Sequence, residues 1–331
     1  MPDISKNNMF IGEISNNYWP LLNIKQTFGA IDLVKQECFS YLCQKMNLLK
    51  VLFPNEIFLA TGLDKVMNIK HLHRTVAPSQ TAKWGRCSIK KYGVSPDEGI
   101  VYLAKIKHNY LKNNYDYVFE NKLCWERILN IEDICISRLR EEVAIAADAI
   151  NMVAKKIAKE YGLFNEVFGS NVKCLSAQYL ENLYPNFSSA QREHAICKKF
   201  GIVFIEKIGM VLNSGSVHSM CDPDVDDWNF SGVLLIWNSK FKCSQNLAQI
   251  GIRVSWNRMV EQFSYYNLNV PELPFHDLLK KGILPCTIGG SINLSLLSML
   301  LLNKMHIGEV APGVWNNSTI FDTEKRGIHL L

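Results

Sequence analysis

Apolar residues recur along the chain with the spacings of both helices and strands. Between positions 24 and 46 they fall three and four residues apart, as on one face of a helix. The same spacing from about Leu139 to Tyr161 predicts the clearest helix, which we expect Gly162 to end. Two continuous apolar runs, 201–205 and 233–237, predict strands buried at the centre of a sheet.

Shorter patterns predict the remaining elements. We expect strands at 48–53, 101–106, 115–119, 252–254 and 286–288, and helices at 255–266, 277–281 and 294–304. No repeat or Pro/Gly/Ser-rich linker divides the sequence. We therefore predict one α+β domain over residues 20–331, preceded by a polar, Asn-rich extension at residues 1–19.

Composition and charge exclude several classes of protein. Of the 331 residues 48% are hydrophobic, so the chain is not disordered, and its net charge of +5 is too small to indicate a nucleic-acid partner. The ten cysteines include no C-x-x-C pair, and the N-terminus lacks an apolar signal core. The longest apolar run, 294–302, is too short to span a membrane. These features predict a reduced, cytoplasmic protein that does not contact membranes.

Three segments carry charges or glycines typical of functional sites. The acidic segment 222–227 begins like a calcium loop, but the sixth position is Asp227 instead of Gly and the twelfth is Val233 instead of Glu. It is either a solvated turn or an active-site loop that presents a carboxylate. The histidines at 71 and 73 have no acidic or Cys residue beside them, so we predict no metal site. Gly289 and Gly290 form either a tight turn or a backbone that approaches a phosphate.

Several short strings share one family pattern. They are 81–86 (TAKWGR), 124–127 (CWER), 224–228 (DVDDW), 235–238 (LIWN), 251–254 (GIRV), 287–290 (TIGG), 306–310 (HIGEV) and 313–315 (GVW). In order and spacing they resemble aspartate–ammonia ligase, the A-type asparagine synthetase, from about Pro20 to Leu331.

This resemblance implies a fold and an activity. The expected fold is α+β, with the antiparallel sheet flanked by helices of class II aminoacyl-tRNA synthetases, and the expected assembly is a homodimer. The expected reaction uses ATP and Mg²⁺ to convert the side-chain carboxylate of aspartate into an adenylate, from which ammonia displaces AMP.

The sequence departs from the family pattern where the resemblance places phosphate and metal contacts. Counting ten residues from Glu98, His108 stands in place of a phosphate-binding arginine, and Leu296 replaces a second arginine. Val233 and Asn246 replace acidic residues near the metal. One such donor contributes about 2.7–4 kcal/mol to transition-state binding, so these losses predict weak adenylate chemistry.

The amino-acid clamp of the family is altered as well. Gly85 stands where the family has Lys, and Lys122 and Cys124 stand where it has Gln and Asp. The retained positions predict a substrate or nucleotide pocket formed by Lys83, Arg86, Glu98, Asp226, Gly289 and Gly290.

Three hypotheses follow. The leading one is a divergent paralogue that has lost ATP-dependent asparagine synthesis and serves a ligand-binding, regulatory or repurposed catalytic role. The alternative is an active, AMP-forming ligase that makes an amide from aspartate or a related carboxylate and requires ATP and Mg²⁺. In the third, Lys122, Cys124 and His108 are the catalytic residues of a new site that forms no adenylate.

Overall fold

The computed structural model describes residues 18, 20–51, 77–96, 98–108, 116–163 and 172–331, without the side chains of 77–80, 107 and 108. The extension predicted at residues 1–19 lies outside this part, apart from Tyr18, as do the two histidines at 71 and 73. The described helices are α1 (Ile24–Met46), α2 (Ala77–Tyr92), α3 (Ile136–Tyr161), α4 (Ala177–Leu183), α5 (Ser189–Phe200), α6 (Trp256–Tyr265), α7 (Pro274–Lys280), α8 (Leu294–Leu301) and α9 (Asn317–Lys325).

The strands of the described residues form one sheet. They are β1 (Leu48–Val51), β2 (Gly99–His108), β3 (Tyr117–Ile128), β4 (Lys173–Ser176), β5 (Ile202–Glu206), β6 (Asp226–Asn238), β7 (Cys243–Arg253), β8 (Thr287–Asn293) and β9 (Gly313–Val314). Their order is β1-β2-β3-β8-β7-β6-β5-β4, and β9 pairs with β3. The pairs β1–β2 and β4–β5 are parallel, whereas the other pairs are antiparallel. The predicted antiparallel sheet flanked by helices is confirmed, with a parallel pair at each end.

Helices α1, α3 and α8 cover one face of the sheet and form the main core with it. Helix α1 begins after Asn23, whose side chain accepts a hydrogen bond from the Gln26 backbone N–H. Helix α3 ends at Gly162, whose φ of 65° lies in the left-handed region that glycine adopts readily. The two long helices therefore begin or end where the sequence pattern predicts.

Smaller clusters cover the opposite face and leave a cleft between them. Helix α2 packs over β2 and β3, and helices α4 and α5 pack over β5 and β6. Helices α6 and α7 form a further cluster at the end of β7. The centre of this face, where β3, β8 and β7 lie side by side, remains open.

Several predicted boundaries are wrong. Strand β3 does not end at residue 119 but continues to Ile128, and β6 and β7 begin well before the apolar runs that predicted them. Gly289 and Gly290 lie inside β8 rather than in a turn. A side chain at Gly289 would collide with Glu126 and Arg253, and one at Gly290 would collide with the Trp125 ring, so tight packing accounts for both glycines.

Candidate functional site

The floor of the cleft is a row of side chains that crosses the middle of the sheet. Strand pairing places Cys124 of β3 opposite Ser291 of β8, and Ser291 opposite Gln249 of β7. Thr81 and Ala82 on α2 form one wall. The other lining residues are Tyr102, Ile106, Lys122, Cys221, Asp222, Val225, Asp226, Ser231, Arg253 and Gly290. Lys122, Cys124, Asp226 and Gly290 are thus brought together from the residues that the sequence singled out.

The charged side chains of β3 reach the cleft side because alternate residues of a strand face the same way. Glu120, Lys122, Cys124 and Glu126 follow one another along that face. Lys122 is half-buried, and its ammonium group forms no hydrogen bond or ion pair with any residue that the structure describes. Lys122 therefore presents a positive charge to the cleft.

The thiol of Cys124 is buried and uncharged. Burial raises its pKa to about 11, an effect that the positive charge of Lys122 only partly offsets. A thiolate is the reactive form of cysteine, so this raised pKa disfavours an activated Cys124. His108 is the last residue of β2, and its side chain is not among those described. That Lys122, Cys124 and His108 act together therefore stays a prediction.

A buried ionic network closes one end of the floor. Arg253 donates to Glu126 from Nε, at 3.0 Å to each carboxylate oxygen, and from Nη2 at 2.8 Å. Its Nη1 donates to Asp226 at 2.5 Å, and the Thr287 hydroxyl donates to Glu126 at 2.5 Å. Burial raises the pKa of Asp226, and Arg253 opposes that shift. The sequence motifs point to Asp226 but not to Glu126 or Arg253, although both stand in the short strings CWER and GIRV.

Lys83 lies behind the cleft wall in a second buried network. Its Nζ is 2.6 Å from Asp224 Oδ2, and His276 Nε2 is 2.9 Å from the same oxygen. Burial disfavours a charge on Asp224, but Lys83 and the hydrogen bond with His276 hold its pKa below the usual value. Because Asp224, Asp226 and Asp227 are all buried, the interpretation of this acidic segment as a solvated turn is wrong.

Two further residues of the predicted pocket lie apart from the cleft lining. Arg86 is buried and donates from Nε to the Pro285 carbonyl at 3.0 Å and from Nη1 to the Val254 carbonyl at 2.8 Å. Glu98 is exposed, and its carboxylate accepts a hydrogen bond from the Ser95 backbone N–H in the turn before β2. Both side chains have local structural contacts in the described part of the chain.

Helix α2 approaches the sheet closely because it carries glycine at position 85. A side chain there would collide with the Tyr102 phenol. The Tyr102 hydroxyl instead donates to the Thr81 carbonyl at 2.7 Å, and its ring meets Trp84 edge-to-face with centroids 4.8 Å apart. Tyr102 thus occupies the space next to the helix where the resemblance implies a lysine.

Two of the four positions where phosphate and metal contacts are expected hold buried apolar side chains. Leu296 is fully buried in the main core, and Val233 is buried under α4 and α5. Asn246 is exposed at the far part of β7. Within the described residues no group of three His, Cys, Asp or Glu side chains is placed to hold a metal ion. A magnesium ion held mainly by substrate phosphates would need only one or two protein carboxylates.

A central, mainly antiparallel sheet flanked by helices, with a polar cleft on one face, defines the class of fold. The fold is that of class II aminoacyl-tRNA synthetases. Asparaginyl-tRNA synthetase from Entamoeba histolytica, in complex with asparaginyl-adenylate, superposes on this chain with a TM-score of 0.57. The two sequences are 13% identical, and the superposition covers 87% of this chain and 66% of that one. Aspartyl-tRNA synthetase from the same organism superposes with a TM-score of 0.58 at 10% sequence identity, over 86% of this chain and 57% of that one. This chain thus spans less than two thirds of either synthetase.

The family itself is narrower than this class. The chain belongs to the aspartate-ammonia ligase family (AsnA), whose pattern it matches over residues 25–327. It is 32% identical to aspartate–ammonia ligase of Clostridium perfringens strain SM101, over 96% of this chain and 98% of that one. It is 31% identical to aspartate–ammonia ligase of Ligilactobacillus salivarius, over 96% of this chain and 99% of that one. The resemblance inferred from the short strings is confirmed.

Among the described helices, none is both long enough and apolar enough to cross a membrane.

Proposed function

We propose that the chain is an ATP-dependent, AMP-forming ligase that joins ammonia to the carboxylate of aspartate or a related acid. The observation that carries the proposal is the polar cleft at the centre of the sheet, in a chain that matches aspartate–ammonia ligases along nearly their whole length. Family membership favours the active ligase, which is the alternative hypothesis from the sequence, over a chain that has lost this chemistry.

The proposed reaction has two steps. A carboxylate oxygen of the substrate attacks the α-phosphorus of ATP, and pyrophosphate leaves. The nitrogen of ammonia then attacks the acyl carbon of the adenylate, AMP leaves with the bridging oxygen, and the surplus proton passes to water. Mg²⁺ enters with the nucleotide in this proposal, because bound Mg²⁺ often relies on substrate phosphates and only one or two carboxylates.

The described side chains support binding and orientation of the acid. Lys122 offers an ammonium donor, and Ser291 and Gln249 offer neutral hydrogen-bonding groups on the same floor. Arg253 fixes Glu126 and Asp226, so the floor keeps its shape without a ligand.

The test is a search for AMP and an amide. Purified protein is incubated with ATP·Mg²⁺, ammonium and a panel of mono- and dicarboxylic acids, including L-aspartate, and both products are quantified by mass spectrometry. We expect stoichiometric AMP and amide with at least one acid. Ala82→Trp fills the cleft wall and should abolish both products, whereas Ala144→Trp on the exposed side of α3 should not. Absence of AMP across the panel would contradict the proposal.

A second candidate is a binding protein that forms no adenylate. The burial of Leu296 favours it, because this side chain offers a phosphate no hydrogen bond. In that case an acid binds in the cleft, Ala82→Trp abolishes the binding, and AMP release stays at the level of the protein-free control.

We also propose a homodimer that uses the outer side of β1 and the start of α1. Strand β1 is the end of the described sheet and carries the exposed Leu49. Leu21, just before α1, and Ile24 and Phe28 in the first turns of α1 are also exposed. Exposed apolar groups beside a sheet edge are typical of surfaces that pair with another chain.

A further inference from the structure

The charges of the cleft are unequally distributed along its floor. At one end the carboxylates of Glu126 and Asp226 are both held by Arg253, at distances of 2.5–3.0 Å. In the middle, Cys124 and Ser291 are uncharged. Beyond them on β3, two residues from Cys124, stands the ammonium group of Lys122.

The Lys122 charge is not cancelled by its closest acidic neighbour in sequence. Glu120 forms no ion pair with Lys122, and its carboxylate accepts a hydrogen bond from Asn293 Nδ2 at 3.0 Å. Burial raises the pKa of Glu120 to about 7, although the charge of Lys122 and the hydrogen bond from Asn293 oppose that shift. Lys122 is thus near enough to influence Glu120, but it forms no hydrogen bond or ion pair with a described residue, so its ammonium group can still donate to a ligand.

Among the described residues that line the cleft, an ammonium group on the substrate would meet poor partners. Lys122 repels it, Cys124 carries no charge, and Asp226 already binds Arg253. Asp222 also lines the cleft, but its charge acts on the Tyr266 hydroxyl and it has an interaction of its own. A second acidic group on the substrate, in contrast, would gain a charge-assisted hydrogen bond from Lys122.

We propose that Lys122 binds a second carboxylate of the substrate, so that the cleft takes dicarboxylic acids without an α-ammonium group in preference to aspartate. This inference rests on the proposed ligase function for the identity of the reacting group, but the binding preference is measurable without any reaction. Succinate and L-aspartate are the natural probes, because they share chain length and both carboxylates and differ in the ammonium group.

The experiment is isothermal titration calorimetry of each acid into protein saturated with α,β-methylene-ATP and Mg²⁺. The methylene bridge of this analogue prevents the loss of pyrophosphate, so the acid can bind but cannot react at the α-phosphorus. We expect succinate to bind at least about tenfold more tightly than L-aspartate, because both acids can accept from Lys122 but only L-aspartate brings an ammonium group next to its charge. Lys122→Gln should remove most of this preference. The double variant Lys122→Gln with Cys124→Asp, which removes a cation and adds a carboxylate, should favour L-aspartate. Lys155→Gln, an equal loss of charge on the exposed side of α3, should change nothing.

Three outcomes overturn the inference: tighter binding of L-aspartate by the unaltered protein, no binding of either acid, or an unchanged preference in folded Lys122→Gln. If Lys122→Gln instead weakens the nucleotide analogue while the ratio of the two acids stays constant, Lys122 binds phosphate and the inference is wrong. Circular dichroism melting of each variant verifies folding. Succinate binding without AMP release refutes the ligase proposal alone, whereas AMP and asparagine formed only from aspartate refute the dicarboxylate preference alone.

Discussion

Replacement of Arg253 by methionine tests the buried network that forms one end of the cleft. Arg253 is 8% exposed and its two partners Glu126 and Asp226 are at most 6% exposed, so the carboxylates have little access to water. Arg253→Met keeps much of the side-chain volume but removes every donor. Two buried carboxylates then lie close together without a cation between them.

The expected cost follows from the desolvation of these groups. Removal of one partner from a buried ion pair typically costs about 3–5 kcal/mol of unfolding free energy. Protonation relieves part of this cost, since burial already raises the pKa of Asp226 in the intact protein. Loss of Arg253 pushes that pKa further above its unfolded value, so the deficit grows as pH rises above the unfolded pKa and shrinks as pH falls.

Urea unfolding followed by circular dichroism at pH 7 and pH 5 measures both effects. Lys156→Met is the matched control, because Lys156 pairs with Glu37 on the surface and its loss should cost about 0–1 kcal/mol. Glu126→Gln and Asp226→Asn, added to Arg253→Met, should recover part of the loss. A cost for Arg253→Met equal to that of the control, or a larger cost at pH 5 than at pH 7, would refute this reasoning.

Three further predictions concern single side chains. Glu120 has a pKa of about 7 against an ordinary 4.5, so its ionisation favours the unfolded chain. The unfolding free energy should therefore fall between pH 4.5 and 7, and Glu120→Gln should reduce that fall. An ordinary pKa for Glu120 in an NMR titration would contradict this prediction. The Cys135 thiol is hydrogen-bonded to Ser137, which lowers its pKa, so iodoacetamide should label Cys135 before the buried Cys124; the reverse order in peptide mapping would contradict this. Leu49→Asp on the edge strand should convert a dimer to a monomer in light scattering, and a monomeric unaltered protein would refute the proposed dimer.

The sequence pattern predicts the helices that bury one continuous apolar face far better than it predicts the residues of the site. Helices α1 and α3 follow the 3.6-residue period because the main core covers one side of each. Strand β3 was predicted too short, since Glu120, Lys122 and Glu126 interrupt its apolar pattern where it crosses the cleft. Charged residues in a central strand are stable only with tertiary partners.

Those partners lie far apart in sequence, which explains the errors in the site. Lys83 meets Asp224 across 141 positions, and Arg253 meets Glu126 across 127. No local pattern shows that such charges are paired in the interior. The family resemblance did locate Asp226, Lys122 and Cys124 at the cleft, because the short strings that carry it fall on the strands that form the floor.

Oxygen-18 transfer tests the proposed ligase chemistry most directly. The substrate acid that gives AMP in the panel is labelled in both carboxylates and incubated with the protein, ATP·Mg²⁺ and ammonium, and the AMP is analysed by mass spectrometry. Because the bridging oxygen of an acyl-adenylate leaves with AMP, we predict one ¹⁸O atom in each AMP formed and an amide that retains one labelled oxygen at the reacted carbon. AMP without the label, or no AMP above the protein-free control, would contradict an AMP-forming ligase.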